Sequence, residues 1–497
     1  MKRILLIKSV SFIVGVSLLA SCAKLDEHSK SNIEASDFYK TQPDAIAAIN
    51  ATYSALSTDI NADFPIYGRN LNLIIDNTGD DQVYSPSNTN PDVRALGTAE
   101  YISSNDRVKK IYAQHYWGIS RANLAIDKIP QIPANQFYDA SHTASNLVRE
   151  ARFVRALLYF NLVRIFGDVP LVIHDAKNVQ EASIKVDRAP RDSVYKQIIE
   201  DLDSAANISV GYGTAASDQG RATRGAAHAL LAKVYIRRQD WVNAKIELEK
   251  TLTTGTFPAA TGTYGYDLFP QFSKIFQTAS KNGIEHIFSA QFKFNGGAAN
   301  STQNLSSGNF SSFNPSVYTG DQPWQGVVNT LFPNNADQRR SATYFDSLKN
   351  GNTWVKWNEF HFAKYIDSAA SPITSQSLSG VNFPILRYAD ILLSYAEVLN
   401  ELNGGPTADA YKAIGLVRAR AYRLYTGGGN YSNHTYDLTA GLTQPQFRDS
   451  IFLERRKEFI QESNRWFDLV RRSGYDGLAP GQYYLDASSG AFCSQAA

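Results

Sequence analysis

Five aromatic side chains lie in polar stretches of the sequence where a ring could meet a ligand. They are Tyr84, Tyr101, Trp324, Trp354 and Trp357. Sugars present flat apolar C–H faces and a rim of hydroxyls, so a Trp or Tyr ring packs on the first while amides and carboxylates bind the second. Proline precedes Trp324 and glutamines flank the pair. We predict these five residues as candidate ligand contacts, with ordinary packing as the alternative for each.

Carboxylates near the carboxyl end are spaced for a different chemistry. Glu454, Glu458 and Glu462 recur every four residues, which places them on one face of a helix. Paired carboxylates can hydrolyse glycosidic bonds, so an extracellular glycosidase is one alternative. The neighbouring arginines, however, would lower the pKa values of these glutamates and remove the general acid. We therefore expect the glutamates to be structural, and we predict no catalytic residue.

The sequence gives little support for a metal site or a phosphate-binding site. Asp76, Asp80 and Asp81 cluster in a polar stretch and could hold calcium, but their spacing fits no calcium loop. The eight histidines form no zinc-site pattern. The run 427–429 is glycine-rich but lacks the Lys-Ser/Thr of a phosphate-binding loop. The sequence thus predicts no metal and no cofactor.

The amino end reads as a targeting segment. It starts with a basic region (Lys2, Arg3 and Lys8), which an apolar run over 10–20 follows. That run is too short to span a bilayer. It leads into Leu-Ala-Ser-Cys22, which resembles the lipobox of bacterial lipoproteins, where the thiol is acylated and becomes the first mature residue. We expect a signal peptide over 1–21, a fatty-acyl diacylglyceryl group on Cys22 and a lipidated flexible tether over 22–36.

Charge and cysteine content narrow the function further. The chain has 49 Lys and Arg against 47 Asp and Glu, and three of the basic residues leave with the signal peptide. This balance argues against a nucleic-acid partner, which needs a basic footprint. The two cysteines are Cys22 and Cys493. Acylation of Cys22 leaves no pair for an intramolecular disulfide, so the core must hold the fold.

Apolar stripes predict helices over most of the remaining sequence. The three clearest run over 41–56, 109–129 and 146–166. Gly167 and Pro170 end the third one.

Two stretches also suggest that the helices form pairs. The run 231–244 is similar to a tetratricopeptide repeat, in which small residues let two helices approach closely, and 384–420 gives a looser second copy. We predict a mainly α fold: a tetratricopeptide-like superhelix of helical pairs within one domain over 37–497. A repeat scaffold that binds only protein is a further alternative.

One long stretch departs from the helical pattern. Over about 283–380 the helical period fades, and the stretch is rich in Asn, Ser and Gly. A short alternation predicts a strand here: Phe288, Ala290, Phe292 and Phe294. Loop-rich sequence of this length inside a helical protein usually carries function. We predict a partly β ligand-binding elaboration that includes three of the candidate tryptophans.

The carboxyl end combines charge with large apolar groups. Phe452, Phe459, Trp466 and Val470 recur at helical spacing, which predicts one buried helix with a charged back. The run Glu-Arg-Arg-Lys-Glu-Phe at 454–459 and Arg-Trp-Phe-Asp-Leu-Val-Arg at 465–471 resembles a signature of the SusD/RagB family. Further blocks resemble the family in the expected order: 117–123, 150–162, 166–171, 221–235, 384–397 and 417–421.

The resemblance implies an outer-membrane, surface-exposed lipoprotein that captures nutrients. Such proteins bind glycans, or sometimes peptides, and pass them to a SusC-like TonB-dependent transporter. The resemblance therefore implies three partners: a glycan, the transporter, and the outer membrane through the lipid anchor. Peptide cargo stays open as an alternative, because aromatics and amides serve both ligands. In relatives the early polar loop and the irregular segment supply the ligand contacts, whereas the shared blocks are scaffold.

We expect the charged residues of these scaffold blocks to form buried or half-buried ion-pair networks between helices. The residues concerned are Arg152, Arg155, Arg387, Asp390, Glu454 and Arg465.

Overall fold

Helices dominate the computed structural model, which describes residues 38–58, 65–84, 89–176, 185–209, 218–252, 264–293, 321–350, 352–367 and 380–472. The predicted signal peptide, Cys22, the tether and Cys493 lie outside these residues. In the part of the chain that the structure describes, none of the helices is long and apolar enough to cross a membrane. The described α-helices are α1 (Gln42–Ser57), α2 (Leu71–Ile75), α3 (Pro91–Gly97), α4 (Asp106–Lys128), α5 (Ala144–Phe166), α6 (Arg191–Ala205), α7 (Arg224–Arg237), α8 (Trp241–Leu252), α9 (Gln325–Leu331), α10 (Arg339–Thr343), α11 (Tyr388–Leu402), α12 (Ala408–Ala421), α13 (Gln444–Phe459) and α14 (Arg465–Arg472).

Short strands pair two by two among these helices, and every pair is antiparallel. The pairs are β1 (Gln82–Tyr84) with β5 (Asp321–Pro323), β2 (Val169–Pro170) with β3 (Arg188–Ala189), β4 (His286–Ala290) with β8 (Phe383–Arg387), and β6 (Tyr344–Asn350) with β7 (Thr353–Phe362). Two of the pairs, β1 with β5 and β4 with β8, join segments far apart in the sequence, so these strands tie the chain together.

The helices predicted from apolar stripes are confirmed. Thr41 begins α1 with a capping box, in which its hydroxyl accepts the Asp44 N–H and the Asp44 carboxylate accepts the Thr41 N–H. Gly167 ends α5 with φ of 71°, a conformation that glycine adopts without a steric penalty. Neighbouring helices pack against one another: α1 on α4 and α5, α4 on α5, and α5 on α6.

The repeat-like helical pairs are confirmed as well. α7 and α8 are joined by the turn 238–240 and pack side by side, and α11 packs on α12 in the same way. Ala232 and Ala244 are both fully buried at the contact between α7 and α8, where small side chains let two helix axes approach. α8 also packs on α11, which joins the two halves of the superhelix.

The carboxyl end is not the single helix that the spacing predicts. α13 ends at Phe459 and α14 begins at Arg465. Between them, Gln461 and Ser463 have φ of 65° and 53°, which a right-handed helix does not allow. The apolar stripe therefore crosses a sharp turn, and the prediction of one continuous helix is wrong.

The charged residues of α13 are buried, which agrees with the buried ion pairs expected for this block and not with a charged back that faces solvent. Glu454, Arg455, Arg456 and Glu458 are each at most 3% exposed. The Glu458 carboxylate lies 2.9 Å from a guanidinium nitrogen of Arg387 and contacts Arg420 and Arg339 as well. Buried charges need such partners, since desolvation of an unpaired charge costs several kcal/mol. The charged residues named here therefore lie in the protein interior and not at its surface.

The same charge cluster attaches the irregular segment to the helices. Arg339, at the start of α10, pairs with Glu454 at 2.7 Å, and Lys364, just after β7, pairs with Glu462 at 2.8 Å. Both basic side chains are fully buried. The ion pairs expected for the scaffold blocks also form elsewhere, as where Arg155 meets Asp201 at 2.7 Å. For Arg152 no ion pair is seen among the described residues.

The irregular segment holds more regular structure than the sequence indicates. The predicted strand is confirmed as β4, and Phe288, Ala290 and Phe292 are buried, whereas Phe294 lies outside the described residues. All five residues of β4 are buried, so the strand lacks a solvent face. The short helices α9 and α10 were not predicted because they are too short to show a period. The β6–β7 hairpin was not predicted because polar and apolar residues do not alternate cleanly along its strands.

We predict that Glu458→Gln destabilises the fold by about 3 kcal/mol or more, because it leaves buried guanidinium groups without their carboxylate. Burial alone would raise the pKa of Glu458, but Arg420 and Arg387 outweigh it and hold the pKa at about 2. Since the unfolded value is higher, the stabilising contribution is complete above the unfolded pKa. It is lost as pH falls through the folded pKa. Urea unfolding of both proteins across this range should show their difference shrinking at acid pH.

The matched control is Glu200→Gln, which removes the same charge from an exposed pair with Lys196. Such a surface pair contributes at most about 1 kcal/mol. Equal losses in the two variants, or a Glu458→Gln loss that does not change with pH, would contradict the role given to the buried cluster.

Candidate ligand-binding surface

The strands β1 and β5 bring two of the candidate aromatics together. In their register Gln82 faces Pro323, Val83 faces Gln322, and Tyr84 faces Asp321. Trp324 follows β5 directly, and its backbone N–H donates to the Asp81 carbonyl at 3.1 Å. The early polar loop and the irregular segment, about 240 residues apart in sequence, therefore form one small sheet.

Trp324 and the residues around it are held by hydrogen bonds to β7. The Gln322 amide donates to Glu359 at 3.0 Å. The side chain of Gln325 accepts the Phe360 N–H at 2.7 Å and donates to the Phe360 carbonyl at 3.1 Å. The half-buried Trp324 ring also packs on a small apolar cluster that includes Val328 and Phe332. One part of this ring is thus fixed by packing, and the rest is open to solvent.

Tyr84 lies at the other end of the same sheet, on the face opposite Gln322 and Trp324, and is also half-buried. A Cβ atom on Gly97 would lie 2.8 Å from a ring carbon of Tyr84, so the ring packs closely against the end of α3. The Arg94 guanidinium lies 5.7 Å from the Tyr84 ring centre and its residue is exposed. The sequence analysis did not single out Arg94. Its only signal in the sequence is its position about one helical turn before Gly97 on α3.

The other predicted contacts do not all join this sheet. Tyr101 is 47% exposed in the turn after α3, beside Ile102, which is 69% exposed. Trp354 is 66% exposed on β7, about 16 Å along the strand from Glu359 at the usual rise per residue. The structure thus leaves both Tyr101 and Trp354 solvent-facing, and it places Trp354 away from the β1–β5 sheet.

Trp357 lies on the opposite face of β7 from Trp354. It is 7% exposed and makes edge-to-face contacts with Phe345 and His361, at 5.8 and 5.7 Å between ring centres. Residues three apart in a strand point to opposite faces, so the two tryptophans do not bury together. This geometry favours packing over ligand contact for Trp357. We use the name β1–β5 surface for Tyr84, Arg94, Gln322, Trp324 and Glu359.

Buried ion pairs anchor this surface to the carboxyl-terminal helices. Arg456 on α13 donates to the Asp81 carboxylate at 2.6 Å, and Arg465 on α14 donates to Asp80 at 2.6 Å. Burial alone would raise the pKa of Asp80, but the Arg465 guanidinium outweighs it and holds the pKa at about 2. Asp81 in turn presents its carbonyl to Trp324. The scaffold therefore fixes the backbone from which the aromatics project.

The aspartates considered for calcium already have protein partners. Asp80 and Asp81 pair with arginines as described, and Asp76 accepts the N–H of Ser463 at 3.1 Å. Within the described ranges, no group of three or more His, Cys, Asp or Glu is arranged to hold a metal ion. These carboxylates link the early loop to the turn between α13 and α14.

Comparison with known proteins shows which family has this architecture. A family model described as the SusD family matches residues 288–487, and one described as starch-binding and associating with the outer membrane matches 25–236. The SusD-like protein P2 of Formosa agariphila is 27% identical to the chain, over 95% of this chain and 93% of its own length. The chain belongs to the SusD family. The resemblance noted from the sequence blocks is confirmed.

Solved structures of SusD proteins share the fold. A SusD homolog from Bacteroides thetaiotaomicron is 23% identical, covers 90% of each chain and superposes with a TM-score of 0.72. A laminarin binding SusD-like protein is 23% identical over 91% of this chain and 96% of its own, with a TM-score of 0.67. The β1–β5 surface draws on both matched segments, since β1 lies in one and β5 and β7 in the other.

We predict that Arg456→Met destabilises the protein by about 3–5 kcal/mol, because it leaves Asp80 and Asp81 as buried carboxylates with too few cations. Urea unfolding measures this loss. Arg94→Met serves as the control, since Arg94 is exposed and should change stability by no more than about 0.5 kcal/mol. A small effect of Arg456→Met would show that the ion pairs do not hold β1 in place.

Proposed function

We propose that this protein is a non-catalytic binding lipoprotein of the cell surface, which captures oligosaccharide or polysaccharide at the β1–β5 surface. The pairing of β1 with β5 carries the proposal, because it holds the half-buried rings of Tyr84 and Trp324 at the two ends of one small sheet, where a chain-like ligand that passes around the sheet edge meets both. Rings of this kind pack on sugar C–H faces. Gln322, Glu359 and Arg94 offer donors and acceptors beside them.

Glycan cargo is supported by two findings. One matching family model is described as starch-binding, and one structural relative is described as laminarin binding. Both ligands are neutral glucans, for which an aromatic surface is a suitable receptor. We therefore favour a glycan over a peptide.

The ion pairs and the lowered pKa values of the glutamates favour a binding role over glycosidase activity. Glu454 and Glu458 are fully engaged by buried arginines. Burial raises their pKa values less than the surrounding guanidinium groups lower them, so neither group can serve as a general acid near neutral pH. Relatives are likewise named for binding.

Delivery and anchoring complete the proposal. We infer that the lipid on Cys22 holds the folded unit, residues 37–497, at the outer membrane, and that captured glycan passes to a SusC-like TonB-dependent transporter. The family description as associating with the outer membrane supports this location. More than one acyl chain is needed for a stable anchor, since a single chain binds only marginally.

Replacement of surface tryptophans should weaken glycan binding without any change in chemistry. We predict that Trp324→Ala lowers affinity for a glucan such as laminarin by about tenfold, and Trp354→Ala by less, because each ring loses its packing on sugar. Retardation of the purified full chain in polysaccharide-loaded gels measures the affinity. The same mixtures are assayed for new reducing ends, and none are expected.

Tyr138→Ala is the matched control, since this ring is 79% exposed but lies outside the β1–β5 surface. Thermal unfolding of each variant checks that the fold is intact. New reducing ends would replace the binding role with an enzymatic one. Retardation that survives both tryptophan replacements would move the site away from β5 and β7.

Lipidation is tested separately. We predict that Cys22→Ser abolishes incorporation of labelled palmitate in a bacterium with lipoprotein processing and releases the protein from the membrane fraction, because the thiol is the acyl acceptor. Cys493→Ser is the matched control, as it removes the other cysteine of the chain and should leave labelling unchanged. Labelling that persists in Cys22→Ser would exclude this residue as the anchor.

A further inference from the structure

A second candidate site lies between the helical pairs, at a cavity where five basic side chains meet. The cavity is bordered by α5, α7, α11, α13 and α14 and encloses about 400 Å³, including its opening to solvent. Its basic residues are Arg164, Lys233, Arg237, Arg455 and Arg471, and one carboxylate, Asp468, also lines it. Such a density of cations in a partly buried space requires compensating negative charge.

Nearby carboxylates account for three of the five cations. Lys233 pairs with Asp390, and Arg455 pairs with Asp390 at 2.6 Å and with Asp468 at 2.8 Å. Arg471 pairs with Asp468 at 2.9 Å and also with Glu397. Three carboxylates thus balance Lys233, Arg455 and Arg471. Arg164 and Arg237 remain.

Arg164 is fixed in place by its neighbours but not neutralised. Its guanidinium lies 4.0 Å from the centre of the Phe160 ring and 3.7 Å from that of Phe467, and it donates to the Asn161 side chain at 2.7 Å. Within the described part of the chain it makes no ion pair with a carboxylate. Burial lowers its pKa to about 10, and the charge of Arg237 acts in the same direction.

Arg237, on the last turn of α7, is partly exposed at the same cavity. Among the residues that the structure describes, it has neither a hydrogen bond nor an ion pair. Two like charges held close to each other repel, and the repulsion is strong where water is displaced. An anion between them would remove this repulsion and gain charge-assisted hydrogen bonds.

We propose that this cavity binds a small oxyanion, a carboxylate or sulfate group, between Arg164 and Arg237. The rings of Phe160 and Phe467 fix the orientation of the Arg164 guanidinium, whose Nε donates to the Phe160 carbonyl at 3.1 Å and whose Nη2 donates to Asn161, so that Nη1 is left to meet such a group. A free anion and the uronate or sulfate of a glycan share this chemistry. The site lies on the helices, not on the β1–β5 surface, so it stands whether or not glucan binds there.

Calorimetry of the full chain tests the proposal with potassium glucuronate and potassium sulfate as probes, at constant ionic strength set with chloride. Glucose is the neutral control. We expect saturable binding of at least one anion and none of glucose. Arg237→Gln should weaken binding about tenfold or more, since it removes a charge-assisted contact. Arg164→Lys should also weaken it, because it keeps the charge but loses the planar guanidinium.

Arg238→Gln is the matched control, because it removes the same charge from the next residue, which pairs with Asp192 instead. It should leave anion binding unchanged, and so should Trp324→Ala. A uronate oligosaccharide that binds more tightly than glucuronate would identify a glycan as the source, and equal affinity a free anion. Absence of saturable binding, or equal affinity in Arg237→Gln, would overturn the proposal.

Discussion

The burial of charge around α13 is the constraint on which the rest of the structure depends. Glu458 is fully buried and contacts arginines from β8, α12 and the start of α10. A charge so placed is tolerated only when its partners are fixed at hydrogen-bond distance. Each partner belongs to a different element, so satisfying one carboxylate positions several parts of the chain. The helical pairs could pack by apolar contacts alone, but the irregular segment needs these anchors.

Buried ion pairs also position the candidate ligand-binding surface. Arg456, two residues before Glu458 on α13, donates to the Asp81 carboxylate. The backbone carbonyl of Asp81 in turn accepts the Trp324 N–H. In the proposed site, the residues that carry the family resemblance are therefore not ligand contacts, yet they position the backbone from which the proposed contacts project. This separation allows the loops to change without loss of the charged scaffold. It also explains why strong sequence motifs say little about the cargo.

Helices such as α1, α4 and α5 were predictable because their stripes and caps are local. Other features were not. The break after Phe459 rests on backbone angles at Gln461 and Ser463 that neither side chain signals. Periodicity assigns charge to the surface, so it could not foresee buried Glu458. The contact between Asp81 and Arg456 spans 375 residues, beyond any local pattern. That the early polar loop and the irregular segment carry the ligand site stays a prediction, and the pairing of these two regions as β1 and β5 could not be read from the sequence.

Hydroxyl-radical footprinting of the full chain, with and without laminarin, tests the central claim most directly, because it reads each ring without a mutation. The expected result is protection of Tyr84 and Trp324 from oxidation at saturating glucan, with no change at the exposed Tyr138. Unchanged oxidation of both rings in a protein that demonstrably binds the glucan would contradict the assignment of the β1–β5 surface. Protection confined to other residues would contradict it as well.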